Sequence, residues 1–244
     1  MDGLNLNQHI SHQFNDDLEH LRTKLLEMGG LVEDQLKDAV KAIETADGGL
    51  AEKVIEVEDE VDQREVALDR ESITLLARRQ PAASDLRLVM MVTKATRDLE
   101  RIGDEANKIA KMAIAINSEG GETHKGYVEL RHLARNVILS VGTALDAFAR
   151  YDTDSALEVV RGDQNIDVEY KSAVREMITY MMEDARAISR VMNIMWALRS
   201  LERIGDHARN IAEQVIYLVH GKDVRHLSLS DIEKELQAKR KPSA

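Results

Sequence analysis

Residues 97–110 read RDLERIGDEANKIA and residues 199–212 read RSLERIGDHARNIA. Ten of the fourteen positions are identical at a fixed offset of 102, which marks an internal duplication. Further upstream, DGGLAEKVIEVEDEVD (47–62) aligns without gaps to DTDSALEVVRGDQNID (152–167) at an offset of 105. The change of three residues falls in the connector before the LERIGD segment, which is shorter in the second copy.

Outward from these blocks the apolar residues follow a helical period. Phe14, Leu18, Leu21, Leu25, Met28, Val32, Leu36, Ala39 and Ile43 are spaced by three or four, the stripe of an amphipathic helix over about Leu6 to Ala46. Gly29-Gly30 within it reads as a bend or a close-packing point, and Asp47-Gly48-Gly49 as the helix end, with Gly supplying the left-handed cap. A second helix over about Leu50 to Ala77 is stopped near Pro81, and a third runs from about Ala82 to Asn117. Ser118-Glu119-Gly120-Gly121 is the midpoint loop. The same order then recurs, with helices from about Gly126 to Tyr151, from Asp152 to Met182, and from Ala185 to His220. The predicted fold is all-α: two tandem three-helix bundles, six long antiparallel helices in all. Residues 1–118 form repeat 1, 122–221 repeat 2, and 222–244 a polar C-terminal tail with a short helix.

Composition agrees. Aromatics are only 3% of the 244 residues and there are two prolines, so the core must be built from Leu, Ile, Val, Met and Ala. The 33 Lys and Arg against 44 Asp and Glu leave a formal charge of −11, the wrong sign for neutralising nucleic-acid phosphates. With no cysteine, thiol chemistry and thiolate metal sites are excluded. The N-terminus lacks the basic and apolar regions of a signal peptide. No apolar run approaches the ~18–20 residues that span a bilayer. A cytoplasmic protein without membrane insertion is expected.

The chemistry lies in the acids. Glu100 and Asp104 are four residues apart on one helix, as are Glu202 and Asp206, so each pair shares a face. The preceding helices carry Glu58 with Asp62, and Asp163 with Asp167. In an antiparallel hairpin, residues equidistant from the turn lie opposite each other. The midpoint of Asp62 and Glu100 is Pro81, and that of Asp167 and Glu202 falls within Glu183-Asp184-Ala185. Each copy should therefore bring four carboxylates level across a hairpin, an oxygen-rich set suited to Mg, Mn, Ca or Fe. Gly103 and Gly205 beside them mark close approach by a backbone or a ligand. Helix packing alone accounts for Leu99, Ile102, Ala106 and Ile109 but not for both acids. Neutralisation by Arg97, Arg101, Arg199 and Arg203 is the main rival to a metal. Glu129-x-x-His132 and Asp17-x-x-His20 have no counterpart in the other copy and read as surface residues.

Two three-helix repeats carrying E/D-x-x-x-D pairs within LERIGD-x-A-x-x-IA, with Arg79-Gln80-Pro81-Ala82-Ala83-Ser84-Asp85-Leu86-Arg87 before the third helix, resemble the PhoU family over about residues 10–220. The second copy lacks the fuller connector and has Asp163 where the first has Glu58. The resemblance implies a non-enzymatic cytoplasmic adaptor that negatively regulates phosphate-starvation signalling. Its implied partners are the ATPase of a phosphate ABC transporter, a sensor histidine kinase and a second copy in a homodimer. It also implies divalent or trivalent metal ions (Mg, Mn, Fe or Zn) at Glu58, Asp62, Glu100 and Asp104, and at Asp163, Asp167, Glu202 and Asp206. The alternative from a different class is an all-α metal-dependent nucleotide pyrophosphohydrolase. Such enzymes use E-x-x-E and E-x-x-D pairs, a spacing the duplication does not repeat.

Overall fold

A computed structural model describes residues 12–118 and 127–240. The predicted helix start near Leu6, the Glu119–Gly121 loop, the fourth-helix start at Gly126 and Lys241 lie outside them. The elements are α1 (His12–Thr45), α2 (Gly48–Arg79), α3 (Ala83–Ser118), α4 (Tyr127–Arg150), α5 (Thr153–Glu183), α6 (Ile188–His220) and α7 (Leu229–Arg240), with one 3-10 turn at Ala185–Ala187. The predicted stripes are the buried ones. Leu21, Leu25, Met28, Val32, Leu36, Ala39 and Ile43 of α1 lose nearly all solvent contact, as do Leu99, Ile102, Ala106 and Ile109 of α3. Each fully buried aliphatic side chain contributes roughly 1.5–3 kcal/mol, which compensates for the scarcity of aromatic residues.

The duplication extends to details of the backbone. Ala46 and Tyr151, equivalent by the offset of 105, both adopt the left-handed conformation, with φ of 51° and 55°. The next residue in each copy caps the following helix. Asp47 accepts from the Leu50 amide, and Asp152 from those of Asp154 and Ser155. The helix ends at Thr45, next to the expected Ala46, but the left-handed cap falls on Ala46 rather than on a glycine, and Gly48 and Gly49 begin α2. The Asp47 side chain makes this the better solution, because it satisfies an amide that the helix start would leave unpaired. Residues 83–118 of α3 correspond at the offset of 102 to 185–220, the 3-10 turn plus α6. The three extra residues, Gln80 to Ala82, hold the α2 cap, with Gln80 left-handed at φ 48°.

The helices form two layers. In front, α2, α3, α6 and α5 lie side by side in that order, since α3 packs on α2 and α6, and α6 on α3 and α5. Behind them, α1 covers α2 and α3, α4 covers α5 and α6, and α1 and α4 touch. The central pair is antiparallel. Arg87 Nε donates to the Leu218 carbonyl at 3.1 Å, Asp98 meets His207 at 2.8 Å, and Arg203 meets Glu105 at 3.2 Å. Gly29 marks close packing, because a Cβ there would fall 2.5 Å from a Leu145 methyl of α4, whereas Gly30 faces open space. The C-terminal segment is less of a free tail than its polarity suggests. Val224, Ile232 and Leu236 are buried, and Arg161 of α5 holds Glu233 of α7.

Hydrogen bonds from Ser155 hold the Asp152 carboxyl below its ordinary value. Its stabilisation is therefore present above the unfolded carboxylate pKa and is lost as pH falls through the lowered folded value. Asp152→Ala should cost about 1 kcal/mol at pH 7 in urea unfolding. The gap from wild type should close as the medium is acidified.

Candidate metal centres

The acids sit where the hairpin midpoints place them. In the first copy the Glu58 carboxyl reaches hydrogen-bonding range of Asp104 and feels Asp62, while Glu100 feels Asp104, Asp62 and Glu65. In the second, Glu202 and Asp206 each face both Asp163 and Asp167. The eight carboxylates thus gather as two groups of four, one in the α2–α3 groove and one in the α5–α6 groove. Both open on the front layer, either side of the α3–α6 seam.

Electrostatics within each group is unfavourable to full ionisation. Burial raises Glu58, Glu100, Glu202 and Asp206 above their ordinary values, and neighbouring acids raise them further. Glu65 is raised in the same way, by burial and then by Asp69 and Asp62. Sequence reasoning missed this fifth acid of the first group. The signal was present in the run Glu58, Asp62, Glu65, Asp69, whose spacing continues one α2 stripe.

The four arginines named as rivals to a metal behave differently from one another. Arg101 spans Glu100 and Asp104, at 3.3 Å to each, and Arg199 holds Glu202 at 2.9 Å. Arg203 crosses to Glu105 on α3 instead. Arg97 acts on Glu65 through space only. Two further cations escaped the sequence reading: Arg209, bonded to Asp163 at 2.8 Å, and Lys171, at 3.4 Å from Asp167.

The two helix-interior glycines serve packing between helices. A Cβ on Gly205 would meet Ile166 at 3.2 Å, and one on Gly103 would meet Gln35 at 3.1 Å and Val61 at 3.4 Å. They let α2 and α5 approach closely enough for the acids to face one another.

The donor set suits a hard cation: all-oxygen, crowded, and incompletely neutralised. One Glu202 oxygen is buried without a hydrogen-bond partner. As the side chains stand, no three carboxylate or imidazole groups among the described residues are arranged to hold one ion. The acids share a groove without forming a closed coordination shell.

The family profile of the PhoU domain matches residues 25–113 and 130–215, which contain both acidic groups. This chain belongs to the PhoU family. It is 59% identical over 235 residues to the phosphate-specific transport system accessory protein PhoU homolog of Pseudomonas aeruginosa, covering 96% of this chain and 97% of that one. Identity to the Escherichia coli accessory protein PhoU is 46% over 239 residues, 98% of each chain. The crystal structure of PhoU from Pseudomonas aeruginosa superposes with a TM-score of 0.84 at 60% identity, over 86% of this chain and all of that one. The phosphate transport system regulatory protein PhoU from Streptococcus pneumoniae, 28% identical, gives 0.79 over 87% of this chain and 99% of its own. The all-α PhoU architecture read from the duplication is thus the fold observed.

Carboxyls with raised folded values favour the protonated folded state. Their contribution is full below the unfolded carboxylate range and is lost as pH rises through the folded values. Glu58→Gln and Glu202→Gln should each stabilise the metal-stripped protein at pH 7 by a few tenths of a kcal/mol. Urea unfolding in EDTA should show that gain vanish below about pH 4.

Proposed function

We propose that this PhoU-family chain is a non-enzymatic regulator of phosphate uptake that keeps phosphate-starvation signalling off while phosphate is plentiful. In this reading it acts in the cytoplasm as a homodimeric adaptor between the ATPase of a phosphate ABC transporter and a sensor histidine kinase. The observation that carries the regulatory role is end-to-end similarity to accessory proteins of phosphate-specific transport. Among the described residues no helix is long and apolar enough to cross a membrane, in keeping with a peripheral partner of the transporter.

The front layer supports the adaptor reading physically. Along α3 the stripe that carries Glu100 and Asp104 continues to Leu86 and Met90, both exposed. Along α2 it continues from Glu58 and Asp62 to exposed Ile73. The second copy repeats this with exposed Ile178 and Ile188, the equivalents of Ile73 and Leu86. Each acidic groove therefore runs into an apolar hairpin tip, the composition of a surface that meets another protein. Divalent or trivalent ions such as Mg, Mn, Fe or Zn would be held by Glu58, Asp62, Glu100 and Asp104, and by Asp163, Asp167, Glu202 and Asp206. Their charge would lower the cost of bringing a partner against four clustered carboxylates.

Cells lacking the chain should express a phosphate-starvation reporter in phosphate-rich medium, and the wild-type chain should silence it. A reporter that stays off without the chain would remove the regulatory role. A folded variant with Glu100, Asp104, Glu202 and Asp206 all changed to Ala should fail to silence it. Full silencing by that variant would make the clusters structural braces only.

A further inference from the structure

The duplication supplies an internal control, because each residue around one acidic group has an equivalent around the other. The positions that differ in charge include Glu65 against Tyr170, Val66 against Lys171, Asn107 against Arg209, and Lys111 against Glu213. In the second copy Arg209 Nη1 donates to Asp163 at 2.8 Å, and its Nε donates to Glu213 at 2.9 Å. Asp163 and Glu213 are both buried, so this guanidinium serves two carboxylates largely out of water. Lys171 holds Asp167 at 3.4 Å, and Arg199 holds Glu202 at 2.9 Å with its guanidinium 5.9 Å from the Tyr170 ring centre. Three of the four candidate ligands therefore already have a basic side chain.

The first copy is not balanced in this way. Arg101 is shared between Glu100 and Asp104, while Glu58 and Asp62 make no ion pair with any described residue. Lys111 acts on Glu58 only through space, and Glu65 adds a fifth negative charge. The position of Arg209 is taken by Asn107, which is only 2% exposed and whose Oδ1 has no hydrogen-bond partner. Where Arg209 reaches Asp163 in the second copy, the first copy therefore has no guanidinium at the equivalent position.

An incoming cation must displace whatever cation already holds the ligands. Releasing a guanidinium from two buried carboxylates forfeits charge-assisted hydrogen bonds and strands the freed charge. The first group exacts no such cost at Glu58 or Asp62. Resting on the proposed reading that the acidic groups hold metal, we infer that the two sites are unequal. The Glu58, Asp62, Glu100 and Asp104 group is the tight cation site, and Arg209 is the built-in counterion that keeps the second group weak.

The test is calorimetric titration of Mn²⁺ into the metal-stripped full-length chain, with free Mn²⁺ followed in parallel by electron spin resonance. A tight class should appear that is lost in Glu58→Gln/Asp104→Asn and retained in Asp163→Asn/Asp206→Asn. Asn107→Arg, which transfers the counterion to the first copy, should weaken the tight class on the order of tenfold or more. Arg209→Asn should strengthen the second class by a similar factor. Because that change uncovers buried Glu213, Arg209→Asn/Glu213→Gln is the matched control, and circular dichroism melting confirms that each variant folds. Equal losses from the two acid pairs, or a tight class that follows the second pair, would overturn the inequality while leaving metal binding in place. No Mn²⁺ retained by the wild type would remove the metal reading itself, and the inference with it.

Discussion

The antiparallel seam between α3 and α6 determines what the rest of the molecule can be. A chain with so few aromatic residues must bury long aliphatic stripes against one another, and the two LERIGD helices carry the most continuous ones. Their crossing puts Ile102 and Ile204, equivalent residues of the duplication, at full burial. With that pair fixed, α2 and α5 can pack only on its outer edges and α1 and α4 only behind it. The front layer follows, and with it the placement of both acidic groups on one face.

Crowding carboxylates in two half-buried grooves costs stability, yet the fold provides for it twice. Gly103 and Gly205 admit the neighbouring helix at distances that a Cβ would contest, which is what brings the acids level. The copies then diverge in how they treat the charge. The second supplies Arg209, Lys171 and Arg199, and the first leaves Glu58 and Asp62 without ion pairs among the described residues. Duplication followed by unequal neutralisation gives one chain two chemically distinct grooves on the same surface.

Most of the fold was legible because helical periodicity and an internal repeat are both long-range patterns in a one-dimensional string. The hairpin register was legible for the same reason: midpoints at Pro81 and within Glu183-Asp184-Ala185 placed Asp62 opposite Glu100 and Asp167 opposite Glu202. Local backbone chemistry was harder to read. Gly48-Gly49 looked like a helix end, but Asp47 caps the next helix, and Ala46 takes the left-handed turn a glycine would be expected to fill. Side-chain partners were hardest, since a long cation can reach several acids. Arg203 could have stayed on its own helix but crosses to Glu105, and Arg209 could be seen only by asking what its equivalent, Asn107, lacks.

The most direct measurement is anomalous diffraction at the manganese edge from crystals of the chain grown with Mn²⁺. The account predicts a peak in the α2–α3 groove, ringed by Glu58, Asp62, Glu100 and Asp104, with those side chains turned inward to ligate it. A map without a peak in either groove, with Arg101 still spanning Glu100 and Asp104, would contradict it. The acids would then be balanced by the protein's own cations, and the front face would dock its partners without metal.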